Sequence, residues 1–447
     1  MKDPAGQRML RWLCALLLVG GAAWMAPHGQ LSDWNVLQAF WGAAAVMGLG
    51  FALSWWIVAL PVVWFWGVAI ASRLLLLAME PGDDVWRYLW EGTIQQHGFN
   101  PYELPPDASA LQALRPAWWG QINHPGVTAI YPPLTQLGFR LLTLVPAKVL
   151  LFKLAFLASD LGICALLSRR FGAVAALLWA WNPLVIYSFS GGAHYDSWFL
   201  LPLVGAWFLL DPATGPDSGP APSTTQGPGT AGRWAWASLL IGVSVAIKWV
   251  SLLLLAYPCW RALRSGRTLL ALGLVLLGLM PLGLGSLAFC ESLGCPLIPT
   301  GSAFVAHARS SEFVPHLLAR IWPATTSSNA IHLLPLAVVV ALLLWRCRRF
   351  GGFAQAYWFA LLMLSPIVHL WYFSWIVPFA VPTANWGVRL VSLSGFIYFV
   401  LLHRHPHWNL LEIERGLIWV PFVVGFAITQ LRPSRCQRPD LSIPSVP

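Results

Sequence analysis

The sequence predicts an all-α, polytopic integral membrane protein with about 14 transmembrane or re-entrant helices and a long first outer loop that carries short helices. Two observations carry this prediction. The chain is 57% hydrophobic and only 10% charged, whereas a soluble domain is roughly 25% charged. Its apolar residues also recur in runs near the length of about 20 residues that a helix needs to cross a bilayer. A soluble globule and a disordered chain are both excluded.

The apolar runs divide the chain into six parts. Residues 1–79 and 149–210 hold transmembrane helices, and residues 233–430 hold further transmembrane helices with an outer loop at 289–330. Residues 80–148 form the long outer loop, 211–232 are a Pro- and Gly-rich disordered cytoplasmic loop, and 431–447 are a cytoplasmic tail. The predicted spans are 10–26, 36–53, 56–78, 149–167, 171–189, 197–210, 234–247, 249–259, 268–288, 331–345, 353–368, 371–382, 388–402 and 416–429. The shorter ones are re-entrant or interfacial candidates.

Charge sets the orientation. The formal net charge is +10, and most basic residues, such as Arg169, Arg261 and Arg346, fall at alternate connections between the spans. The positive-inside rule places those ends and both termini in the cytoplasm, in a plasma (inner) membrane, and most acidic residues then lie outside. The first span also resembles a signal peptide, but we expect it to be retained.

The cysteines and the glycine pattern give no sign of a metal site or a nucleotide site. Cys290 and Cys295 lie outside in this topology and can form a disulfide in an oxidising compartment, with free thiols as the alternative. The sequence shows neither a zinc-ligand spacing nor a Gly-rich phosphate loop. A nucleic-acid partner is not predicted, since the basic residues are scattered between apolar runs.

The most informative segment is E-P-G-D-D-V-W-R-Y-L-W-E-G at residues 80–92. Asp83 and Asp84 are adjacent carboxylates at the membrane boundary, and their repulsion should raise the pKa of at least one of them unless a cation intervenes. If a helix restarts after Gly82, Asp84 shares one helical face with three further polar residues, Arg87, Tyr88 and Glu91. The alternative is an ordinary ion pair between Asp84 and Arg87.

Further motifs follow in order: G-F-N-P-Y at 98–102, N-H-P-G-V-T-A-I-Y-P-P-L at 123–134, A-H-Y-D-S at 193–197, I-K-W at 247–249 and H-L-W-Y-F-S-W at 369–375. Together with the acidic segment, they resemble the GT-C superfamily of membrane glycosyltransferases. The pattern is most similar to bacterial polyprenyl-phosphate-mannose-dependent mannosyltransferases. Leu370 departs from that pattern, in which a proline is usual.

The resemblance implies a function. We expect an inverting transfer of a hexose, with mannose favoured, from a polyprenyl-phosphate-linked donor to a hydroxyl of a glycan, lipid or protein acceptor on the outer (periplasmic) side. Asp84 is the expected general base, with Asp83 as the second candidate. A lipid phosphate leaves as a stable anion, so one base and cations at the phosphate would suffice. The sequence shows no evident cluster of metal ligands, so no divalent metal and no cofactor are predicted besides the donor substrate.

Candidate substrate-binding residues are those that the same topology brings to the outer face. They are Arg87, Tyr88, Glu91, His124, Tyr131, His194, Asp196, Lys248, Arg320, His369 and Tyr372. Lys248 is the main candidate for the donor phosphate, because a charge in an apolar stretch is costly and usually functional; the alternative is snorkelling. Structural caps are the alternative for His194 and Asp196.

A transporter or a lipid-linked sugar flippase is the competing function. Transporters concentrate charges at the bilayer midplane and often show inverted repeats. This chain instead places its acidic residues at the outer face and shows no repeat. The sequence therefore favours a glycosyltransferase.

Overall fold

The structure is a computed structural model and describes residues 4–145, 148–212, 230–290 and 303–431. This part of the chain is mainly helical and contains no β-strand, and its single extended pairing is a bridge between Ser310 and Ile367. Seven of its helices have the length and apolar character to cross a bilayer, and a bent helix pair would make an eighth. The all-α membrane fold is confirmed, whereas the predicted number of 14 helices is not established.

The first half of the chain supplies nine α-helices. They are α1 (Pro4–Met25), α2 (Trp34–Ser54), α3 (Val62–Leu76), α4 (Asp84–Gln96), α5 (Pro133–Leu142), α6 (Val149–Phe171), α7 (Ala173–Ala180), α8 (Pro183–Ile186) and α9 (Ser197–Leu210). Short 3₁₀ turns at Ser109–Leu114 and Trp119–Gln121 lie between α4 and α5, and a π-helical turn, Tyr187–Gly191, continues α8. The predicted short helices of the long loop are thus present.

Eleven more α-helices follow among the described residues. They are α10 (Thr230–Ile247), α11 (Ala256–Arg264), α12 (Thr268–Ser286), α13 (Ala303–His307), α14 (Val314–Ile321), α15 (Leu333–Arg346), α16 (Phe350–Leu364), α17 (Val377–Ala380), α18 (Trp386–Ser394), α19 (Val400–His403) and α20 (Glu412–Leu431). Their 3₁₀ connections are Trp249–Leu255, Leu287–Phe289, Pro323–Thr326, Asn329–His332, Leu370–Trp375, Val381–Thr383 and Gly395–Phe399.

Glycines allow several helices to pack closely. α1 packs on α2 and α3, α10 lies between α9 and α12, and α18 packs on α20. A Cβ on Gly242 would lie 2.2 Å from the carbonyl oxygen of Gly278, and a Cβ on Gly387 would lie 2.3 Å from that of Phe422. Small residues at helix crossings are the usual means of close association in membranes, where apolar burial alone does not favour one helix pair over another.

Several predicted spans differ from the observed helices. The predicted span 171–189 is two helices, since the chain bends by 53° between α7 and the segment that starts at Pro183. The predicted spans 249–259 and 371–382 are 3₁₀ turns joined to short α-helices, and Pro378 and Pro382 remove backbone donors from the second. The predicted span 56–78 is helical only from Val62, after Pro61.

The predicted disordered loop 211–232 is too long at both ends. α10 already begins at Thr230. The carboxylate of Asp211 accepts hydrogen bonds from the backbone N–H groups of Phe350 and Gly351, where it caps α16. Residues 213–229 lie outside the described residues, as does the predicted tail after Leu431.

Two buried cations hold α3 against α6. Arg73 forms a two-point ion pair with Asp160 (Nε to Oδ2 2.6 Å, Nη2 to Oδ1 3.1 Å), and both side chains are fully buried. Lys153 donates to the carbonyl oxygens of Leu76, Leu77 and Met79. These bonds fix the end of α3, the point from which the chain enters the acidic segment.

Candidate functional site

The carboxylate pair, Asp83 and Asp84, lies at the start of α4. Pro81 and Gly82 separate α3 from α4, and the backbone N–H of Gly82 donates to the carbonyl of Gly192 at 3.1 Å. This bond brings the carboxylate pair beside His194, whose Nδ1 lies 3.5 Å from Oδ2 of Asp84. Asp83 is exposed, whereas the side chain of Asp84 is only 21% exposed.

One side-chain amide bridges the carboxylate pair. Nδ2 of Asn123 donates to Oδ2 of Asp83 at 3.2 Å and to Oδ1 of Asp84 at 2.9 Å. Asn123 was not among the predicted site residues, although it directly precedes His124 in the motif. Two adjacent carboxylates need a hydrogen-bond donor between them, and this need could have pointed to the amide of Asn123.

The two carboxyl groups differ in their affinity for a proton. The surrounding protein and the charge of Asp84 raise the pKa of Asp83 above its ordinary value. Burial opposes ionisation of Asp84, but interactions with His194, His369 and Asn123 outweigh it and hold the pKa of Asp84 below its ordinary value. Asp84 is therefore the group that stays ionised when the pair holds one proton.

Arg87 and Glu91 share the predicted helical face, but the alternative ion pair between Asp84 and Arg87 is wrong. Nε of Arg87 instead donates to Glu91 at 2.8 Å, and its other nitrogens donate to the carbonyls of Asn123, His124, Val127 and Thr128. The second oxygen of Glu91 accepts from Gln136 at 2.6 Å. Arg87 and Glu91, which the sequence predicts as substrate-binding residues, are thus buried, and their hydrogen bonds stabilise the turn that holds Asn123.

A stack of three rings continues from Asp84. The ring of His194 is parallel to Trp371 at a centroid distance of 3.5 Å, and Trp371 is parallel to His369 at 4.6 Å. His369 forms a hydrogen bond with the hydroxyl of Tyr398. Burial lowers the pKa of His369, so that its ring is neutral near pH 7. Trp371 was missed because tryptophans are so numerous in this sequence, and Tyr398 was missed because it lies outside every motif.

Lys248 lies in an aromatic box. Its Nζ is 2.5 Å from Oδ1 of Asp196 and 4.8–4.9 Å from the ring centroids of Tyr195, Tyr372 and Trp375. The side chain is 11% exposed, so simple snorkelling does not describe it. Trp375 also donates to Asp196 at 2.6 Å, while Oδ2 of Asp196 is buried with no hydrogen-bond partner among the described residues.

Aromatic residues connect this box to α4. Tyr131 packs edge-on against Tyr88 and Tyr195, and Tyr88 stacks on Phe139 at 4.7 Å. His124 lies at the braced turn with a positive φ of 45°. The structure therefore brings together ten predicted residues through a continuous series of contacts. They are Asp83, Asp84, Tyr88, His124, Tyr131, His194, Asp196, Lys248, His369 and Tyr372.

Arg320 does not join these contacts. Its side chain is 62% exposed on α14 and lies 3.5 Å from Glu412. Cys290 is disulfide-bonded, and its predicted partner Cys295 lies outside the described residues. Within the described ranges, no group of three or more His, Cys, Asp or Glu side chains is placed to hold a metal ion.

Comparison with known proteins agrees with the motifs. No protein-family model matches the chain. The chain is 25% identical over 417 residues to alpha-(1->6)-mannopyranosyltransferase A of Mycobacterium tuberculosis (strain ATCC 25618 / H37Rv), an alignment that covers 83% of this chain and 73% of that protein. This similarity agrees with the resemblance of the motifs to mannosyltransferases.

Among solved structures, this structure is similar to the crystal structure of ArnT from Cupriavidus metallidurans bound to undecaprenyl phosphate. The TM-score is 0.43 and the sequence identity 16%, and the match covers 83% of this chain and 71% of that one.

Proposed function

We propose that this protein is an inverting glycosyltransferase that moves a hexose, mannose in the first instance, from a polyprenyl-phosphate-linked donor to an acceptor hydroxyl. The observation that carries the proposal is the carboxylate pair, which contacts Asn123 and His194 and connects through a series of ring contacts to Lys248. The motif resemblance and the similarity to a mannosyltransferase support the sugar.

Asp84 is the proposed general base. The acceptor oxygen attacks C1 of the sugar while Asp84 takes the proton of the hydroxyl. The bond between C1 and the phosphate oxygen breaks, its electron pair stays on that oxygen, and the polyprenyl phosphate leaves as an anion. A single displacement of this kind inverts C1. Covering Asp84 with substrate raises its basicity, because loss of water disfavours the carboxylate.

Lys248 is the proposed partner of the leaving phosphate. Its ammonium has three donor hydrogens, and Asp196 is its ion-pair partner at 2.5 Å. The neighbouring rings exclude water, which strengthens the attraction between an ammonium and an incoming phosphate. The free oxygen of Asp196 is placed to accept a hydrogen bond from a sugar hydroxyl. No step requires a metal or a cofactor.

The site is proposed to face the outer side of the plasma membrane, with both termini in the cytoplasm. The distribution of basic residues between alternate connections supports this orientation. The proposed acceptor is a hydroxyl of a glycan, lipid or protein, and cell-envelope material supplies the natural acceptors in the assay.

The test is transfer of labelled mannose from polyprenyl-phosphate-mannose by membranes that contain the wild type, Asp84→Asn or Asp83→Asn. We expect Asp84→Asn to lower kcat/KM by about 10²- to 10⁴-fold, the usual contribution of a general base. Asp83→Asn should lose less. The anomeric configuration of the product, read by NMR, should be opposite to that of the donor.

The matched control is Asp107→Asn, the same change at an exposed aspartate of the same α4–α5 connection. It should leave transfer unchanged. If wild-type membranes transfer no hexose from this carrier, the glycosyltransferase proposal fails. If Asp84→Asn keeps full activity in folded protein, Asp84 is not the base.

A further inference from the structure

Two neighbouring carboxylates that both ionise need a donor between them. Asp83 and Asp84 repel each other, and adjacent like charges normally force one group to keep its proton. The charged or titratable groups that face them come from several elements. They are His124, His194 and His369, with Glu91 and the hydroxyls of Tyr88, Tyr131, Tyr187, Tyr195, Tyr372 and Tyr398.

We propose that Asn123 is a positioning residue that holds both carboxylates ionised side by side, by donating an N–H of its side-chain amide to each of them. The two distances, 3.2 Å and 2.9 Å, lie within the hydrogen-bonding range. The amide orientation is set by its partners, since ionised carboxylates only accept and would repel the amide oxygen. Asn123 does not touch the reacting atoms in this proposal; it acts through Asp83 and Asp84.

The surroundings of Asn123 are built to hold it still. Arg87 donates to the backbone carbonyls of Asn123 and of three nearby residues, and the ion pair with Glu91 fixes Arg87 in turn. The next residue, His124, adopts a positive φ of 45°, a conformation that non-glycine residues rarely take. A strained turn held by four hydrogen bonds from one arginine is expected where the direction of a single side chain matters.

The inference rests on the proposed function, because Asp84 must be the base for Asn123 to affect transfer. The test compares kcat/KM against pH for the wild type, Asn123→Ala and Asn123→Asp. Loss of the donor raises the pKa of the carboxylates, so the acid limb of the profile should move to higher pH. A hydrogen bond to a charged group corresponds to about 1 to 2 pH units.

Asn123→Asp separates positioning from packing. It keeps the size of the side chain and the backbone carbonyl that Arg87 contacts, but it replaces the donor by a third carboxylate. A positioning role predicts that Asn123→Asp is less active than Asn123→Ala at pH 7 and recovers as the pH rises. A packing role predicts the reverse order. Asn100→Ala is the control, since Asn100 lies in the same α4–α5 connection but donates to Glu103 and Phe289. The acid limb of this variant should not move.

A second measurement does not depend on activity. Carbodiimides modify protonated carboxyl groups, so labelling of Asp83 and Asp84 against pH, read by mass spectrometry, reports their protonation directly. Labelling should extend to higher pH in Asn123→Ala than in the wild type. An unmoved acid limb with unchanged labelling overturns the proposal. If wild-type transfer is absent while labelling shifts as expected, the proposed function fails and the assignment of Asn123 stands.

Discussion

Replacing Arg73 by methionine should destabilise the protein strongly, although Arg73 lies outside the proposed active site. Its guanidinium pairs with Asp160 and also donates to the carbonyls of Ala69 and Ala180 at 3.0 and 2.7 Å. Arg73→Met leaves the carboxylate of Asp160 fully buried with the indole N–H of Trp179 as its remaining hydrogen-bond donor in the described structure. Breaking a buried ion pair from one side costs about 3–5 kcal/mol.

The double variant Arg73→Met, Asp160→Leu should recover much of that loss. Replacing both charges by apolar groups removes the uncompensated ion, and such replacements are often neutral. The indole N–H of Trp179 then loses its acceptor, which costs about 1–3 kcal/mol. We therefore expect the double variant to be only about 1–3 kcal/mol less stable than the wild type. The two single losses would sum to about 6–10 kcal/mol.

The assay is unfolding of the purified proteins by SDS in mixed micelles, with transfer activity measured on the same samples. A double-mutant cycle then gives the coupling free energy. Charged residues within membranes are often functional, so activity of the double variant is the decisive comparison. Additive losses would refute the buried-pair reasoning. A stable but inactive double variant would show that the charges themselves take part in function.

Two further changes test the packing of α4 and the role of Lys248. A Cβ on Gly92 would lie 2.5 Å from the carbonyl oxygen of Phe139, so Gly92→Ala should force α4 from α5 and lower transfer at least about tenfold, as for a misplaced catalytic group. Gly120→Ala, which meets nothing within 4 Å, should be neutral, and equal effects would contradict the argument. Lys248→Met should raise the donor KM about tenfold or more, the equivalent of one charged hydrogen bond, whereas an unchanged KM would exclude Lys248 as the phosphate partner.

The sequence could predict the site where local patterns carry the information. Residue spacing placed Asp84, Arg87, Tyr88 and Glu91 on one helical face, and α4 confirms it. Spacing could not decide which acid pairs with Arg87, because both Asp84 and Glu91 lie within one helical turn of it. The choice depends on a turn more than 30 residues later, whose carbonyls attract the guanidinium toward Glu91 and away from Asp84.

The helix breaks were harder to predict than the helices. An apolar run of about 20 residues looks the same whether it is one span or two short helices. Pro183 and Pro378 marked the breaks, but prolines are also tolerated inside spans, as Pro202 in α9 and Pro281 in α12 show. Neighbouring helices decide which prolines bend the chain, and a single sequence does not reveal those neighbours.

The wide separation of the site residues along the chain affects how the protein is made. The carboxylate pair leaves the ribosome early, but the series of ring contacts that connects it to Lys248 needs Trp371, His369 and Tyr372. During synthesis the first helices enter the bilayer while those rings are still untranslated. The proposed site is therefore complete only when the late helices leave the translocon and dock, so a nascent chain is not expected to act on a substrate before its membrane domain is complete.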